Sequence, residues 1–220
     1  MNILAIDTAL PVLSVCLQTQ QDAGHVSKLS KPMVRGHAEA LMPAIEEVVA
    51  ASPVDFRAID RIAVTVGPGS FTGVRVGIAA AKGLGLALKV PVVGVSTLAA
   101  FAADFIGTAE TGLIASTIDA RHGNIYIQAV NQDGQVVISS RVMRLTEAVR
   151  VLGTEQVRLI GPGSALVATQ AWTAGLRTEI ACEEAAPDIL SVARLGAIAD
   201  PEKSPAKPMY LRPVDAKTQN

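Results

Sequence analysis

Apolar and polar positions in the first fifty residues predict three strands and a helix. The apolar runs ILAID at 3–7 and VLSVCLQ at 12–18 are short and bounded by turn residues, and a third strand is predicted near 23–30. Strands joined by short turns pair antiparallel, so this segment is predicted to form a meander. From 37 to 51 the apolar side chains recur instead at the spacing of one side of a helix.

Beyond residue 60 the pattern changes to an alternation of strands and helices. Apolar runs at 61–66 and 90–95 predict strands, and segments 74–88 and 97–106 predict helices. Such alternation favours a sheet with parallel members, because each helix returns the chain to the same edge of the sheet. The predicted fold class is therefore α/β.

The second half of the chain repeats this order imperfectly. Strands are predicted at 112–119, 125–130 and 135–143, in the same succession as the opening meander. The run RLIGPGSA repeats VTVGPGS at an offset of 94 residues, and Asp119 ends a strand before a hairpin as Asp7 does, at an offset of 112 residues. We predict two related lobes, 1–106 and 107–200, followed by an extended basic tail over 201–220.

Composition narrows the class of protein. Apolar residues make up 50% of the 220 residues but aromatic residues only 3%, which predicts a core of small aliphatic side chains, with Cys16 a buried thiol. A net charge of −1 argues against strong nucleic-acid binding by the chain alone. Arg75, Lys82 and Lys89 interrupt the longest apolar stretch, so no membrane role is predicted. MNILAID shows no export signal, and we expect a cytoplasmic protein.

The glycine-rich stretch GPGSFTGVRVG at 67–77 fits neither of two known phosphate-binding motifs. Val74 and Arg75 stand where a Walker A loop needs Lys followed by Ser or Thr. Thr72 stands where a dinucleotide fingerprint needs glycine. What remains is a general property, since backbone N–H groups at the start of any helix can bind an anion.

The helix after this turn carries a stripe of small residues. Gly73, Gly77, Ala81 and Gly85 recur every four residues and therefore share one side of the helix. Each interior glycine costs roughly 1 kcal/mol relative to alanine, so close approach of another backbone must offset the loss. From the residues alone, that neighbour is either the chain's own sheet or another molecule.

Four residues are candidates for contact with a nucleotide between the lobes: Asp7, Asp119, Gly161 and Gly163. The two carboxylates suit a hydrated magnesium ion with phosphates, and the two glycines lie in the second GPG turn. The alternative is that the aspartates cap turns through their own backbone. No HExxH or GxSxG motif occurs, so neither a zinc protease nor a serine hydrolase is indicated.

Five runs, taken in order, resemble the TsaB (YeaZ) family over nearly the whole chain: ILAIDTA, GPGSFTGVRVG, VPVVGVSTLAAFA, DARHGNIYIQA and YLRP. The resemblance implies an actin-like (ASKHA, RNase H-like) duplicated two-lobed fold. It also implies a non-catalytic partner of TsaD, the transferase in the N6-threonylcarbamoyladenosine (t6A) modification of tRNA, with TsaE supplying an ATPase. tRNA is then expected to bind only through the complex.

The resemblance further implies where partners bind. In the family, the helix bearing HAEAL and the helix after the glycine turn contact TsaD or, in the isolated protein, a second copy in a homodimer. The expected contacts are His37, Leu41, Ile45, Gly73, Arg75, Gly77, Ile78, Ala81 and Lys82.

The resemblance also has implications for metal and cofactor binding. TsaD carries two metal-binding histidines where this chain has Thr97 and Phe101, so we expect no metal site and no cofactor of its own. ATP or ADP with magnesium, shared at a subunit interface, stays open. The alternative function is an ATP- and magnesium-dependent enzyme of the actin-like fold that acts alone through Asp7 and Asp119.

Overall fold

The computed structural model describes residues 1–19, 24–109, 112–153 and 156–211. Within these ranges the chain forms ten strands and six helices, besides a short 3-10 helix at Phe56–Ala58. The strands are β1 Ile3–Leu10, β2 Val12–Gln18, β3 Val26–Pro32, β4 Arg61–Thr65, β5 Val92–Val95, β6 Leu113–Asp119, β7 Asn124–Val130, β8 Val136–Arg144, β9 Val157–Ile160 and β10 Thr178–Cys182. The helices are α1 His37–Ala50, α2 Phe71–Leu88, α3 Thr97–Ala102, α4 Leu145–Leu152, α5 Ser164–Thr173 and α6 Ile189–Ile198.

The two sheets have the same topology. In the first, the order is β3-β2-β1-β4-β5, with an antiparallel meander of β1 to β3 and parallel pairing of β1, β4 and β5. In the second, the order is β8-β7-β6-β9-β10, again with a meander of the first three strands and parallel pairing of the others. This duplication confirms the predicted α/β class with a duplicated, two-lobed architecture.

Several element bounds differ from the predicted ones. β1 continues through the predicted turn to Leu10, with a register shift against β2 after Asp7. α2 begins at Phe71, before the predicted start at 74, because the Ser70 hydroxyl caps it by accepting a hydrogen bond from the Gly73 N–H at 3.2 Å. α3 ends at Ala102 rather than at 106, and α4 has no counterpart among the predicted helices.

Helices cover both sides of the first sheet. α1 and α2 pack next to each other on one side, against β1, β2 and β4, and α6 packs on the other side. α6 lies within the segment predicted as the second lobe, yet the Arg61 guanidinium of β4 donates to three carbonyls at its end, those of Gly196, Ala197 and Ala199, at 2.9 to 3.0 Å. A cation at a helix C-terminus complements its dipole, and this contact fixes α6 on the first sheet. The lobe boundaries themselves stay predictions.

Two further features concern predictions made for Cys16 and for the tail. Cys16 is buried, and burial raises the pKa of its thiol to about 12, as expected for a core residue. The described part of the tail contains no helix after a turn at 201–203: residues 204–211 run past β5 and β4, with a tight turn in which the Lys207 N–H donates to the Pro205 carbonyl at 2.8 Å. The predicted extended tail stays a prediction. Residues 212–220 of the predicted tail lie outside the described residues.

Candidate functional site

The small-residue stripe of α2 faces the chain's own first sheet. A Cβ added at Gly73 would collide with the carbonyl oxygen of Thr8, and one added at Gly77 would lie 2.5 Å from Thr8 Oγ1. That hydroxyl donates to the Gly73 carbonyl at 2.7 Å. Gly85 is in the same close contact, with Val92 of β5. The sequence left open whether this stripe packs on the chain's own sheet or on another molecule. In the structure it packs on β1, β4 and β5 of the chain's own sheet.

α2 is also long and apolar enough to cross a membrane, judged by length and composition. One such helix is weak support for a span, because buried core helices pass the same test. Here the glycine side of α2 is in contact with the sheet, and the predicted absence of a membrane role stays a prediction.

Most of the residues expected to contact a partner are in the core. Leu41, Ile45, Gly73, Gly77, Ile78 and Ala81 are buried within this chain. The sequence pattern located the apolar sides of the two helices correctly, but those sides cover the chain's own sheet, so their residues have no surface to offer. Contact of these six residues with a partner stays a prediction, and within this chain their side chains are covered. Arg75 and Lys82 are exposed, and His37 is half-buried, with its Nε2 donating to the Leu10 carbonyl at 3.3 Å.

The outward sides of α1 and α2 form the candidate surface for a partner, here called the α1–α2 surface. It consists of the exposed residues Ala38, Glu39, Met42 and Glu46 of α1 and Phe71, Arg75, Ala79, Lys82 and Leu86 of α2. Charges are segregated between the two helices: every charged residue of α1 is a glutamate, and every charged residue of α2 is a cation. Leu86 is 83% exposed, Phe71 46% and Met42 42%, so each of the two helices presents large apolar side chains to solvent.

An aromatic cluster surrounds Arg75 at one end of this surface. The guanidinium carbon lies 3.6 Å from the centre of the Phe71 ring and 5.7 Å from that of Tyr210, and Arg75 Nε donates to the Tyr210 hydroxyl at 2.8 Å. Sequence reasoning missed both aromatic residues. The spacing of Phe71 and Arg75, four apart on one helix, could have indicated their contact. No local pattern could have brought in Tyr210, which is 135 residues away along the chain.

A cavity of about 380 Å³ lies between the two lobes and contains one of the four nucleotide candidates. Its wall includes His37 and Ser70 from the first lobe and Asp119, Arg121 and Tyr126 from the second. Asp119 Oδ1 accepts a hydrogen bond from the Arg121 backbone N–H at 2.8 Å, and its Oδ2 lies 3.3 Å from the Arg121 guanidinium. Asp119 is thus engaged as a turn cap, which is the alternative role that the sequence allowed.

Asp7 lies outside this cavity wall and is completely buried. Its Oδ1 accepts hydrogen bonds from Thr65 Oγ1 at 2.6 Å and from the Ala9 N–H at 2.9 Å, whereas Oδ2 has no hydrogen-bond partner. Burial raises the pKa of Asp7, against the lowering effects of Thr65, the Ala9 amide and His37. Because folding favours the protonated form, ionisation of Asp7 lowers the free energy of unfolding as the pH rises above the ordinary aspartate range. The two aspartates therefore do not fit one magnesium site.

Strand register explains why the two aspartates differ. Ile6 of β1 pairs with Val64, three residues before Gly67, and Ile114 of β6 pairs with Arg158, three residues before Gly161. With the two GPGS turns superposed in this way, the counterpart of Asp7 is Ala115, and Asp119 lies four residues further along its strand. Asp119 ends β6 as predicted, whereas Asp7 lies inside β1, which continues to Leu10.

The other candidates for metal or nucleotide contact are also tightly packed. A Cβ at Gly161 would lie 2.6 Å from the Thr117 carbonyl oxygen, and one at Gly163 the same distance from Ile125 Cδ1. Thr97 and Phe101 are buried, Phe101 against Gly161. Across the ranges that the structure describes, no group of three or more His, Cys, Asp or Glu side chains is arranged to hold a metal ion.

Comparisons with known proteins agree with this architecture. The family model of TsaD, tRNA N6-adenosine threonylcarbamoyltransferase, matches residues 31–187. The tRNA threonylcarbamoyladenosine biosynthesis protein TsaB of Haemophilus influenzae is 29% identical over 174 residues, which cover 74% of this chain and 72% of that protein. TsaB of Escherichia coli is 36% identical over 133 residues, 60% of this chain and 56% of that protein.

A full-length match and a solved structure extend the likeness. An uncharacterised protein of Mycobacterium tuberculosis is 31% identical over 220 residues, 98% of this chain and 94% of that protein. The structure of YeaZ from Pseudomonas aeruginosa superposes with a TM-score of 0.76 at 27% identity and covers 96% of this chain and 99% of that one. The duplicated sheets, the ordered sequence motifs and these matches lead to one conclusion: the chain belongs to the TsaB (YeaZ) family, whose members are related to the transferase TsaD.

Proposed function

We propose that this protein is a non-catalytic subunit that binds TsaD through the α1–α2 surface and thereby supports t6A synthesis. Its family gives it a role in tRNA threonylcarbamoyladenosine biosynthesis. The observation that carries the finer proposal is the α1–α2 surface, where large apolar side chains at Met42, Phe71 and Leu86 are exposed on one helix whose charged residues are glutamates and one whose charged residues are cations. Exposed apolar patches with a polar rim are typical of protein interfaces.

The charge pattern also supports a choice between two partners. In a two-fold pair, the acidic α1 of one copy can face the basic α2 of the other, so the surface is complementary to itself. The TsaD family model matches this chain, and this relatedness supports the proposal that TsaD takes the place of the second copy in such a pair. We therefore propose a homodimer of the isolated protein that TsaD displaces, with TsaE and tRNA joining through the complex in the cytoplasm.

Three features of the lobes support a non-catalytic role. Thr97 and Phe101, at the positions where the resemblance implies histidine ligands in TsaD, are buried side chains that cannot ligate a metal ion as imidazoles do. Asp7 is completely buried and is not part of the wall of the interlobe cavity. Asp119 is paired with Arg121 at the wall of that cavity.

Reconstitution tests the proposal directly. We expect threonylcarbamoyl transfer to tRNA by TsaD and TsaE to require this chain, and the charge reversal Lys82→Glu to weaken TsaD binding about tenfold and to reduce transfer. The control is Lys203→Glu, a reversal at an exposed lysine outside the α1–α2 surface that forms an exposed ion pair with Asp200 at 3.5 Å. Transfer at the full rate without this chain would contradict the proposal.

The alternative enzyme is distinguished by calorimetry. Titration of ATP with magnesium into the isolated chain is expected to give no binding, because the Asp7 carboxylate is completely buried and does not line the cavity. Micromolar binding that is lost in Asp7→Ala would favour an ATP-dependent enzyme instead.

A further inference from the structure

The segment at residues 204–211 is held on the first sheet by its backbone and one buried side chain. The Gly94 N–H donates to the Ser204 carbonyl at 2.8 Å, and Pro205 forms a bridge with Val93. Ala206 is buried in the core cluster of the first lobe. The Met209 N–H then donates to the Val66 carbonyl at 2.7 Å, so the chain is fixed at the residue immediately before Tyr210.

This anchoring delivers Tyr210 to Arg75. The Tyr210 hydroxyl accepts from Arg75 Nε, and the guanidinium lies over the Phe71 ring at 3.6 Å. The Phe71 and Tyr210 rings are themselves 5.7 Å apart at an angle of 32°. An arginine held by a ring and by a hydrogen bond has lost much of its rotamer freedom before any partner arrives, which lowers the entropic cost of binding.

The cluster combines the residue types that are found at binding hot spots. Phe71 and Tyr210 remain about half exposed, and the other edge of the Arg75 guanidinium carries donors that have no acceptor among the residues described. Arginine and large aromatic residues are the types that most often dominate binding energy at interfaces. A planar guanidinium with one edge engaged presents the other edge to a bidentate acceptor.

We propose that Tyr210 is a positioning residue that presets Arg75 to bind a carboxylate of TsaD, an inference that rests on the proposed function. The C-terminal segment thereby takes part in the α1–α2 surface, although it belongs to neither helix. Tyr210 acts through Arg75, and Phe71 provides the ring on which the guanidinium rests.

Charge and polarity favour a protein carboxylate over a phosphate of tRNA. The neighbouring helix α1 carries glutamates as its only charged residues, and these repel a polyanion. Along the exposed side of α2 after Arg75, Lys82 is the one further cation and the apolar residues Ala79 and Leu86 lie on either side of it, whereas a nucleic-acid site draws on many cations. A partner with a carboxylate in an apolar surround fits both features.

A double-mutant cycle on the full chain tests the positioning role, with affinity for TsaD measured by calorimetry. We expect Arg75→Ala to weaken binding about 30-fold and Tyr210→Phe, which keeps the ring and removes the acceptor, about fivefold. In the Arg75→Ala background, Tyr210→Phe is expected to have no further effect. Thermal unfolding of each isolated variant serves as the folding control, and Lys203→Ala controls for loss of a cation.

Each outcome bears on a separate claim. A fivefold effect of Tyr210→Phe that persists without Arg75 means direct contact of Tyr210 with TsaD and overturns the positioning role. Unchanged TsaD affinity in Arg75→Ala overturns the carboxylate site while leaving the proposed function intact. If Arg75→Ala weakens tRNA binding by the complex but leaves TsaD affinity unchanged, the cluster binds RNA, and this result also overturns the carboxylate site. A wild-type chain that does not bind TsaD overturns both proposals.

Discussion

The two sides of α2 contrast in what they contact. On one side, Gly73 and Gly77 bring the helix against the backbone and hydroxyl of Thr8, where a side chain larger than hydrogen does not fit. On the other side, Arg75 and Lys82 extend long polar side chains into solvent, and a Cβ at Gly83 would meet nothing within 4 Å. The small residues of α2 thus mark the side on which another element of the fold packs closely. The long side chains on the opposite side mark the surface on which a partner can bind.

The largest expected effect is on the buried side. Gly73→Ala places a methyl group against the Thr8 carbonyl oxygen, a backbone atom that cannot move without separating α2 from β1. We expect a loss of about 3 kcal/mol in the free energy of unfolding, measured by urea denaturation, as for overpacked cores. A variant as stable as the wild type would mean that α2 does not lie this close to β1.

A smaller loss is expected when the hydroxyl between helix and strand is removed. Thr8→Val keeps the shape of the side chain but deletes the hydrogen bond from Oγ1 to the Gly73 carbonyl. The expected cost is about 1 kcal/mol, the usual net value of one such bond. Thr169→Val is the matched control, because Thr169 Oγ1 also donates to a helix carbonyl, that of Ala165, but is exposed. Equal costs at the two sites would contradict a special role for the buried contact.

The order of strands was predictable because each apolar run is bounded by turn residues and the two halves repeat. The end of β1 was not, because Asp7 and Thr8 look like turn residues in the sequence. In the structure Thr65 and the Ala9 amide satisfy the Asp7 carboxyl, and Thr8 bonds to α2, so both polar side chains are accommodated inside a strand. Whether such a polar residue lies in a strand or in a turn depends on a hydrogen-bond partner from another element, and the sequence does not show which residue that is.

The candidate site also depends on contacts between residues far apart in the sequence, which the sequence pattern does not reveal. Arg75 and Lys82 were predicted from the resemblance and are exposed, as a contact surface requires. The buried residues of the same set were not distinguished from them, because helical periodicity identifies an apolar side without saying what covers it. Tyr210 reaches Arg75 only through the path of the segment from Ser204, which depends on backbone pairing with β5 and β4.

A gain in stability is expected at the exposed glycine of α2. Gly83 is in the helix interior and faces open space, so Gly83→Ala adds a methyl group without a clash. Alanine is favoured over glycine in a helix by up to about 1 kcal/mol, and we expect an increase of that order in the same urea experiment. If Gly83→Ala raises the free energy of unfolding and Gly73→Ala lowers it, the same substitution distinguishes the exposed side of α2 from its buried side. A loss at Gly83 would show that this side is covered in solution, as in a homodimer.

The smallest effect on stability is expected at Lys82. Its side chain is exposed on α2, and exposed substitutions away from caps and ion pairs usually change stability by less than about 0.5 kcal/mol. Lys82→Ala should therefore unfold at the same urea concentration as the wild type in dilute samples. Affinity for TsaD is nevertheless expected to fall about threefold at low salt, with the difference shrinking as salt screens the charge. Stability lost without any change in TsaD affinity would reverse the assignment of the two sides, because a residue that matters only for folding belongs to the core.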